Sequence, residues 1–245
     1  PEPADRNVLS GSELGGGVAI ESGSTRDNVI QGNWIGLAPD GRTALPNNVG
    51  VRIIGGAQGT RIVGNVISGN GAGGVALFSA GGGTILRDNN IGRDAAGEDC
   101  VGNGTAGVTI GGEVLDATIE ANRIHCNSGA GVTIRDAFVS GVRISGNSIT
   151  RNRGHAIQID EDANAGVRPP TIEHAEATWA SGRACGDCVV EVFSDPATQA
   201  AVFEGAVTAA ADGTFRFDLP SGTTFSFVNL RATSTLRVAS TNAHN

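Results

Sequence analysis

Apolar and polar positions repeat along the first two thirds of the chain in a unit of roughly two dozen residues. Each unit contains three short runs in which Ile, Leu or Val alternates with variable residues, and Gly or Asn stands at the ends of the runs. Successive side chains of a strand point to opposite sides, so this alternation is typical of short β-strands with one buried face. The pattern therefore predicts three short strands per unit.

An Asn-x-(Ile/Leu) element sets the register of the units. Its Asn residues are Asn7, Asn33, Asn65, Asn89, Asn122 and Asn147. They are separated by 26, 32, 24, 33 and 25 residues, and a Gly-Val-x-Ile-like run follows each of them. One unit cannot bury its own apolar face, whereas stacked units bury a continuous core. We therefore predict six stacked coils, about 4.8 Å apart.

The recurring Asn predicts a ladder along the stack. Asn tolerates the left-handed backbone of a coil corner, and stacked side-chain amides hydrogen-bond to one another. A second Asn column follows five residues later at Asn70, Asn127 and Asn152, with Ser12 in the first coil. Asn103 occupies the matching position in the fourth coil. In the second coil, Asn47 lies one residue away from the matching position.

Two coils are longer than the others. Their extra residues fall near 36–49 and 92–106, at the same corner of the second and fourth coils. We expect these two long loops to project from one side of the stack as neighbours.

The period stops after Ile159. The acidic residues 160–162 and the prolines at 169–170 indicate a boundary, so we predict domains at 1–165 and 166–245. Strand-like runs follow around 171–179, 188–194, 201–209, 214–219 and 225–239. About five strands in this length predict a small β-sandwich.

These motifs also suggest a family. The pattern Asn-Val-Ile-x-Gly-Asn, followed by Gly-Val-x-Ile, resembles secreted bacterial right-handed parallel β-helix repeat proteins of the pectate-lyase-like superfold. So does Asn33-Trp-Ile-Gly36, which opens a long loop containing Asp40-Gly41. The run from Cys185 to Asp195 resembles an Ig-like module. The resemblance implies an all-β chain, in which a right-handed parallel β-helix of about six coils precedes an Ig-like β-sandwich. It also implies a secreted, extracellular or cell-surface location, but the superfold hosts lyases, hydrolases, adhesins and structural proteins alike.

Charge and hydropathy exclude some partners. The net charge is −8, all seventeen cationic residues are Arg, and they form no basic run. We therefore expect neither nucleic acid nor an anionic membrane as a partner. No stretch of 18 apolar residues occurs, so we expect no membrane insertion. The start at Pro1, without a signal-peptide core, predicts a processed chain or a fragment.

Four cysteines allow three pairings. We favour Cys100–Cys126 and Cys185–Cys188, because each pair then lies within one predicted domain. A redox motif or a metal site is the alternative for Cys185 and Cys188. The favoured pairing predicts no free thiol and an oxidising compartment.

The outward columns contain few ionisable groups. Two of these columns precede the ladder Asn, and the third lies within the Gly-Val-x-Ile runs, where it reads Ala19, Arg52, Ala76, Thr109, Thr133 and Gln158. Glu120 is the single carboxylate in the three columns. Its neighbour in the preceding coil is Arg87, so a surface ion pair competes with a ligand site. Arg52 and Trp34 are further ligand-contact candidates, although Trp34 also suits packing against the first long loop. No catalytic residue and no cofactor is predicted. Asp160 and Asp162 are weak Ca²⁺ candidates, with a solvated linker as the alternative.

These observations favour an extracellular structural or adhesive protein over an enzyme. The alternative is a carbohydrate-active enzyme, a lyase or hydrolase acting on an extracellular polysaccharide, which would gather several ionisable groups on one face. The partners expected are a polysaccharide, a cell surface, or a second copy of the chain. Residues 1–6 are too short for a capping helix, and an open coil end templates strand addition. Head-to-tail assembly into a surface filament is therefore one expected form, although Pro1 and Pro3 count against it.

Overall fold

The computed structural model describes residues 6–197 and 199–235. By internal contacts the chain divides into two compact units, Pro1–Gly166 and Val167–Asn245. The regular structure of the described residues is β-strand, apart from one short 3-10 turn, which confirms the all-β class. Within these residues no helix is long and apolar enough to cross a membrane. Residues 1–5, on which the expectation of an uncapped first coil partly rests, lie outside the described part.

The first unit is a parallel β-helix, as predicted. Its chain visits three parallel sheets in turn, once per coil. The first sheet contains β1 (Val8–Leu9), β4 (Trp34–Ile35), β7 (Val66–Ile67), β10 (Asn90–Ile91), β13 (Arg123–His125) and β16 (Ser148–Thr150). The second contains β2 (Gly16–Ile20), β5 (Val49–Ile54), β8 (Val75–Phe78), β11 (Val108–Gly111), β14 (Val132–Ile134) and β17 (Ile157–Ile159). The third contains β3 (Val29–Gln31), β6 (Arg61–Val63), β9 (Ile85–Arg87), β12 (Thr118–Glu120) and β15 (Arg143–Ser145).

Each coil closes because the inward positions of its three strands are apolar. In the fourth and fifth coils, for example, Ile91, Ile110 and Ile119 are fully buried in one core cluster. Equivalent residues stack directly on one another, as Ile91 does on Ile67 and on Ile124. The core is therefore a set of apolar columns that runs along the stack.

The corner between the third and first sheets is left-handed, but not at the Asn that the sequence argument assigned to it. A positive φ falls on the residue before each Asn from the second coil onward. These residues are Gly32, Gly64, Asp88, Ala121 and Gly146. The ladder Asn keeps a negative φ, and its side chain points along the stack, where the next amide lies.

Two Asn ladders run through the helix. The first contains Asn7, Asn33, Asn65, Asn89, Asn122 and Asn147, and the second contains Asn47, Asn70, Asn103, Asn127 and Asn152. Asn65 shows the pattern: its Oδ1 accepts hydrogen bonds from the backbone N–H and the Nδ2 of Asn33, at 2.9 and 3.2 Å. Its Nδ2 donates to the Ile30 carbonyl at 2.8 Å and to Asn89 Oδ1 at 3.1 Å. Asn47, one residue out of register by sequence, joins the second ladder.

The two long loops are neighbours. Each folds back on itself, through bridges between Leu37 and Ala44 in one loop and between Arg93 and Cys100 in the other. The Ala95 N–H of the second loop donates to the Gly41 carbonyl of the first, at 2.8 Å. A disulfide joins Cys100 to Cys126 of the next coil, and another joins Cys185 to Cys188, as in the favoured pairing. No free cysteine remains.

The described residues of the second unit form two three-stranded antiparallel sheets around Val190, Ala209 and Phe215. Its strands are β18 (Thr171–Ala175), β19 (Trp179–Arg183), β20 (Val189–Asp195), β21 (Val202–Thr208), β22 (Thr214–Asp218) and β23 (Asn229–Thr235). The single run predicted at 171–179 is a strand that ends at Ala175, followed by a turn that leads into β19. Residues 236–239 of the last predicted run lie outside the described part. The Ig-like character of this unit stays a prediction.

Candidate functional site

A groove lies on the outer face of the second sheet, in the last three coils. Its floor consists of Thr109, Thr133 and Gln158, which are in register on β11, β14 and β17. They face outward because the residues on either side of each point into the core, as Val108 and Ile110 do around Thr109. Three polar side chains therefore follow one another along the helix axis, about 4.8 Å apart.

Coil corners form one wall of the groove, and two charged residues form the other. The corners stack through backbone hydrogen bonds, such as the one from the Gly129 N–H to the Thr105 carbonyl, at 2.9 Å. Arg135 and Asp160 each follow a strand of the second sheet directly. The groove has a volume of about 350 Å³, and its lining residues are Thr105, Ala106, Thr109, Gly129, Ala130, Thr133, Arg135, Gln158 and Asp160.

The two charged residues of the groove are not paired with each other. The ion pairs found among residues 6–197 and 199–235 involve neither Arg135 nor Asp160. The Arg135 guanidinium lies over the Phe78 ring, 5.7 Å from the ring centre, in a cation–π contact. Both charges are thus available to a ligand in the groove.

The lining has the chemistry of a binding site for a hydroxyl-rich molecule. Threonine hydroxyls, an amide, a guanidinium and a carboxylate supply both donors and acceptors of hydrogen bonds. Asp160 is the single carboxylate of the lining. Glycoside hydrolysis ordinarily uses two carboxyl groups on either side of the scissile bond. The groove is therefore better suited to binding than to hydrolysis.

The four ligand-contact residues predicted from the sequence lie on three different sheets. Trp34, on the first sheet, is half-buried: the Arg6 guanidinium lies 4.3 Å from its ring centre, and the first long loop packs against it at Gly41. Arg52, on the second sheet, forms an ion pair with Glu21. Arg52 belongs to the same outward column as Thr109 but lies two coils before it.

Arg87 and Glu120, on the third sheet, form an ion pair in which Arg87 Nε lies 2.7 Å from Glu120 Oε1. This pairing matches the surface ion-pair interpretation. The four residues do not form one site.

Of the two weak calcium candidates, Asp160 lines the groove and Asp162 does not. Groups of three or more His, Cys, Asp or Glu side chains suited to a metal ion are absent from the described ranges. Thr109, Thr133 and Gln158 share one outward column in the sequence, whereas the place of Arg135 and Asp160 beside that column was not predicted. Their position immediately after the Gly-Val-x-Ile run was the signal available for finding them.

A comparison with family models agrees with this geometry. Residues 5–172 match the model described as the right handed beta helix region. No curated protein matches the chain.

Proposed function

Since this chain belongs to the right-handed β-helix family, we propose that it is an extracellular adhesive scaffold which holds an extended polysaccharide in the groove of its second sheet without cleaving it. The observation that carries the proposal is the register of Thr109, Thr133 and Gln158 along the axis. An extended polymer that lies along the axis meets a polar group at every coil. The floor spacing of about 4.8 Å is close to the advance per sugar residue in an extended polysaccharide chain.

The scaffold role is supported by how firmly the floor is held. Both Asn ladders run through the coils that carry it, and Asn103 and Asn127 are fully buried within the second ladder. Thr109 itself is only 7% exposed, so its hydroxyl sits at the bottom of the groove. Prearranged polar groups bind a ligand with less loss of conformational entropy.

The disulfides support the extracellular part of the proposal. Cys100–Cys126 and Cys185–Cys188 use all four cysteines, and such bonds persist mainly in oxidising compartments.

Affinity electrophoresis of the native chain through gels containing neutral or acidic polysaccharides tests the proposal. We expect at least one hydroxyl-rich neutral polymer to retard the protein. The double variant Thr109→Val/Thr133→Val removes the floor hydroxyls at nearly constant shape and should abolish the retardation. Its matched control is Thr118→Val, on the outer face of the third sheet. Equal retardation of the double variant and the wild type would refute the groove as the site.

A second candidate is a polysaccharide-cleaving enzyme. The observation that favours it is the presence of Arg135 and Asp160 in the same groove, because a cation and a carboxylate there could neutralise and deprotonate a substrate. The same polymers, incubated with the protein, distinguish the two candidates. Release of unsaturated or reducing ends, lost in Asp160→Asn, would establish the enzyme; retention without release supports the scaffold.

We also propose that copies of the chain associate through the first coil. Strands β1, β2 and β3 are at the edges of their sheets, and no described strand pairs with their outer sides. Three exposed apolar side chains, Val8, Leu14 and Val29, belong to the same coil, and Leu14 is 98% exposed. Unpaired strand edges beside apolar surface favour strand addition by another chain.

Light scattering and negative-stain microscopy of the intact chain test this association. We expect oligomers or filaments whose size grows with concentration, and Leu14→Lys should shift the distribution towards monomers. A monodisperse monomer at high concentration would rule the association out.

A further inference from the structure

Three arginines from different coils lie in the neighbourhood of one histidine on the first sheet. Arg123 and His125 share the outer face of β13, because Ile124 between them points into the core. Arg151 directly follows Thr150, the partner of His125 in the next coil. Arg93 lies in the second long loop and is bridged to Cys100, whose disulfide partner Cys126 is the neighbour of His125. We call Arg93, Arg123 and Arg151 the arginine cluster.

The charge of the cluster is not neutralised by the protein. None of its members takes part in the ion pairs found in the described ranges, although the chain as a whole carries a net charge of −8. In the same loop, Asp94 Oδ1 accepts the N–H groups of Glu98 and Asp99 at 2.7 and 3.1 Å, and the ion pairs found in the described ranges do not include this carboxylate. Arg93 donates to the Gly97 carbonyl through one nitrogen at 2.6 Å, and its buried Nε has no partner.

The histidine beneath the cluster responds to this excess of positive charge. His125 is 5% exposed, and its Nδ1 has no hydrogen-bond partner among the described residues. Burial, followed by repulsion from Arg93, Arg123 and Arg151, lowers the pKa of the imidazole to about 4. A buried polar atom without a partner, beside cations that form no ion pair, is an arrangement that a bound anion would complete.

We propose that the arginine cluster is a binding site for a tetrahedral oxyanion, supplied by the sulfate esters of a polysaccharide. Arginines contributed by three neighbouring coils suit a compact, multiply charged anion, which can accept from several guanidinium groups, better than a planar carboxylate, which one arginine can engage alone.

The wider charge distribution favours a sparsely charged ligand. A densely charged polyanion such as nucleic acid would extend beyond the cluster onto a surface that carries an excess of negative charge, and this repels it. The cluster lies on the first sheet and the groove on the second, so this site does not depend on the groove.

The proposal is tested by calorimetric titration of the intact, disulfide-bonded chain with inorganic sulfate, a sparsely sulfated dextran sulfate and uncharged dextran. We expect saturable binding of inorganic sulfate, tighter binding of dextran sulfate, and no dependence of either on the groove variant Thr109→Val/Thr133→Val. Arg123→Gln/Arg151→Gln should weaken sulfate binding by roughly tenfold or more for each guanidinium removed. The matched control is Arg61→Gln/Arg143→Gln, which removes the same charge from two exposed arginines of the third sheet.

An NMR titration of the histidines gives a second measurement, which a nonspecific loss of positive charge would leave unchanged. A bound dianion should raise the pKa of His125, whereas the resonances of His155 and His174 should not respond to sulfate. The proposal is overturned if the two double variants bind sulfate equally well, or if the His125 resonances ignore sulfate. Binding of inorganic sulfate without any gain from dextran sulfate would overturn the polysaccharide as its source.

Discussion

Replacing Asn103 by Ala should weaken the β-helix far more than replacing an Asn outside the ladders. Asn103 is fully buried in the second ladder. Its Oδ1 accepts from the backbone N–H and the Nδ2 of Asn70, at 3.1 and 2.9 Å. Its Nδ2 donates to the Ile67 carbonyl at 3.0 Å and to Asn127 Oδ1 at 2.8 Å. Asn103→Ala removes all four hydrogen bonds and leaves buried partners unsatisfied.

The expected loss follows from this count. A typical hydrogen bond contributes about 1 kcal/mol net, and buried groups that lose their partner add to the cost, so the free energy of unfolding should fall by about 4 kcal/mol. Two controls make the same substitution elsewhere. Asn7 lies at the end of the first ladder and makes one side-chain hydrogen bond to Asn33, so Asn7→Ala should cost about 1 kcal/mol. Asn48 is exposed next to the second ladder, and Asn48→Ala should be nearly neutral.

The assay is urea unfolding under non-reducing conditions, followed by tryptophan fluorescence. The chain has two Trp residues, one in each unit, so a Trp179→Phe background leaves Trp34 as the reporter of the β-helix. We expect the midpoint to fall while the slope stays constant. A shift for Asn103→Ala no larger than that of Asn48→Ala would refute the view that the ladders stabilise the stack.

Five further outcomes are expected. The pKa of His125 falls from 6.5 to about 4 on folding, so the folded state binds fewer protons than the unfolded state in this range. The free energy of unfolding should therefore drop by at most about 3 kcal/mol as the pH falls from 6.5 to 4. Subtracting the pH–stability profile of His125→Gln from that of the wild type isolates this loss. A Cβ on Gly50 would lie 2.5 Å from a carbonyl of the next coil, so Gly50→Ala should cost at least about 2 kcal/mol in urea unfolding. Gly64 has φ +63° but open space, so Gly64→Ala should cost only about 1 kcal/mol. Thiol titration in denaturant should find no reactive thiol, and Cys100→Ser/Cys126→Ser should lower the free energy of unfolding by about 3 kcal/mol.

The repeating part of this fold could be derived from the sequence alone. Alternation with a period of two determines which side chains face inward, and the recurrence of Asn determines which residues stack, because each coil contacts only its neighbours. The columns of Ile, Leu and Val, the parallel register and the two ladders all follow from these local rules. The all-β class and the pairing of Cys100 with Cys126 follow in the same way.

The sites depended on tertiary structure. Outward residues are not constrained by the repeat, so the sequence could not show that Arg135 and Asp160 flank the column of Thr109 and Thr133. It showed no basic run, yet stacking of the coils brings Arg93, Arg123 and Arg151 into the neighbourhood of one histidine, although about 30 residues separate each from the next. The turn that separates β18 from β19 was also missed. The pairing of β19 with β22 defines β19 more clearly than its local sequence pattern does. Stacked coils place residues that are one repeat apart in sequence next to each other. The path of the loops between the strands then decides which of these residues come into contact.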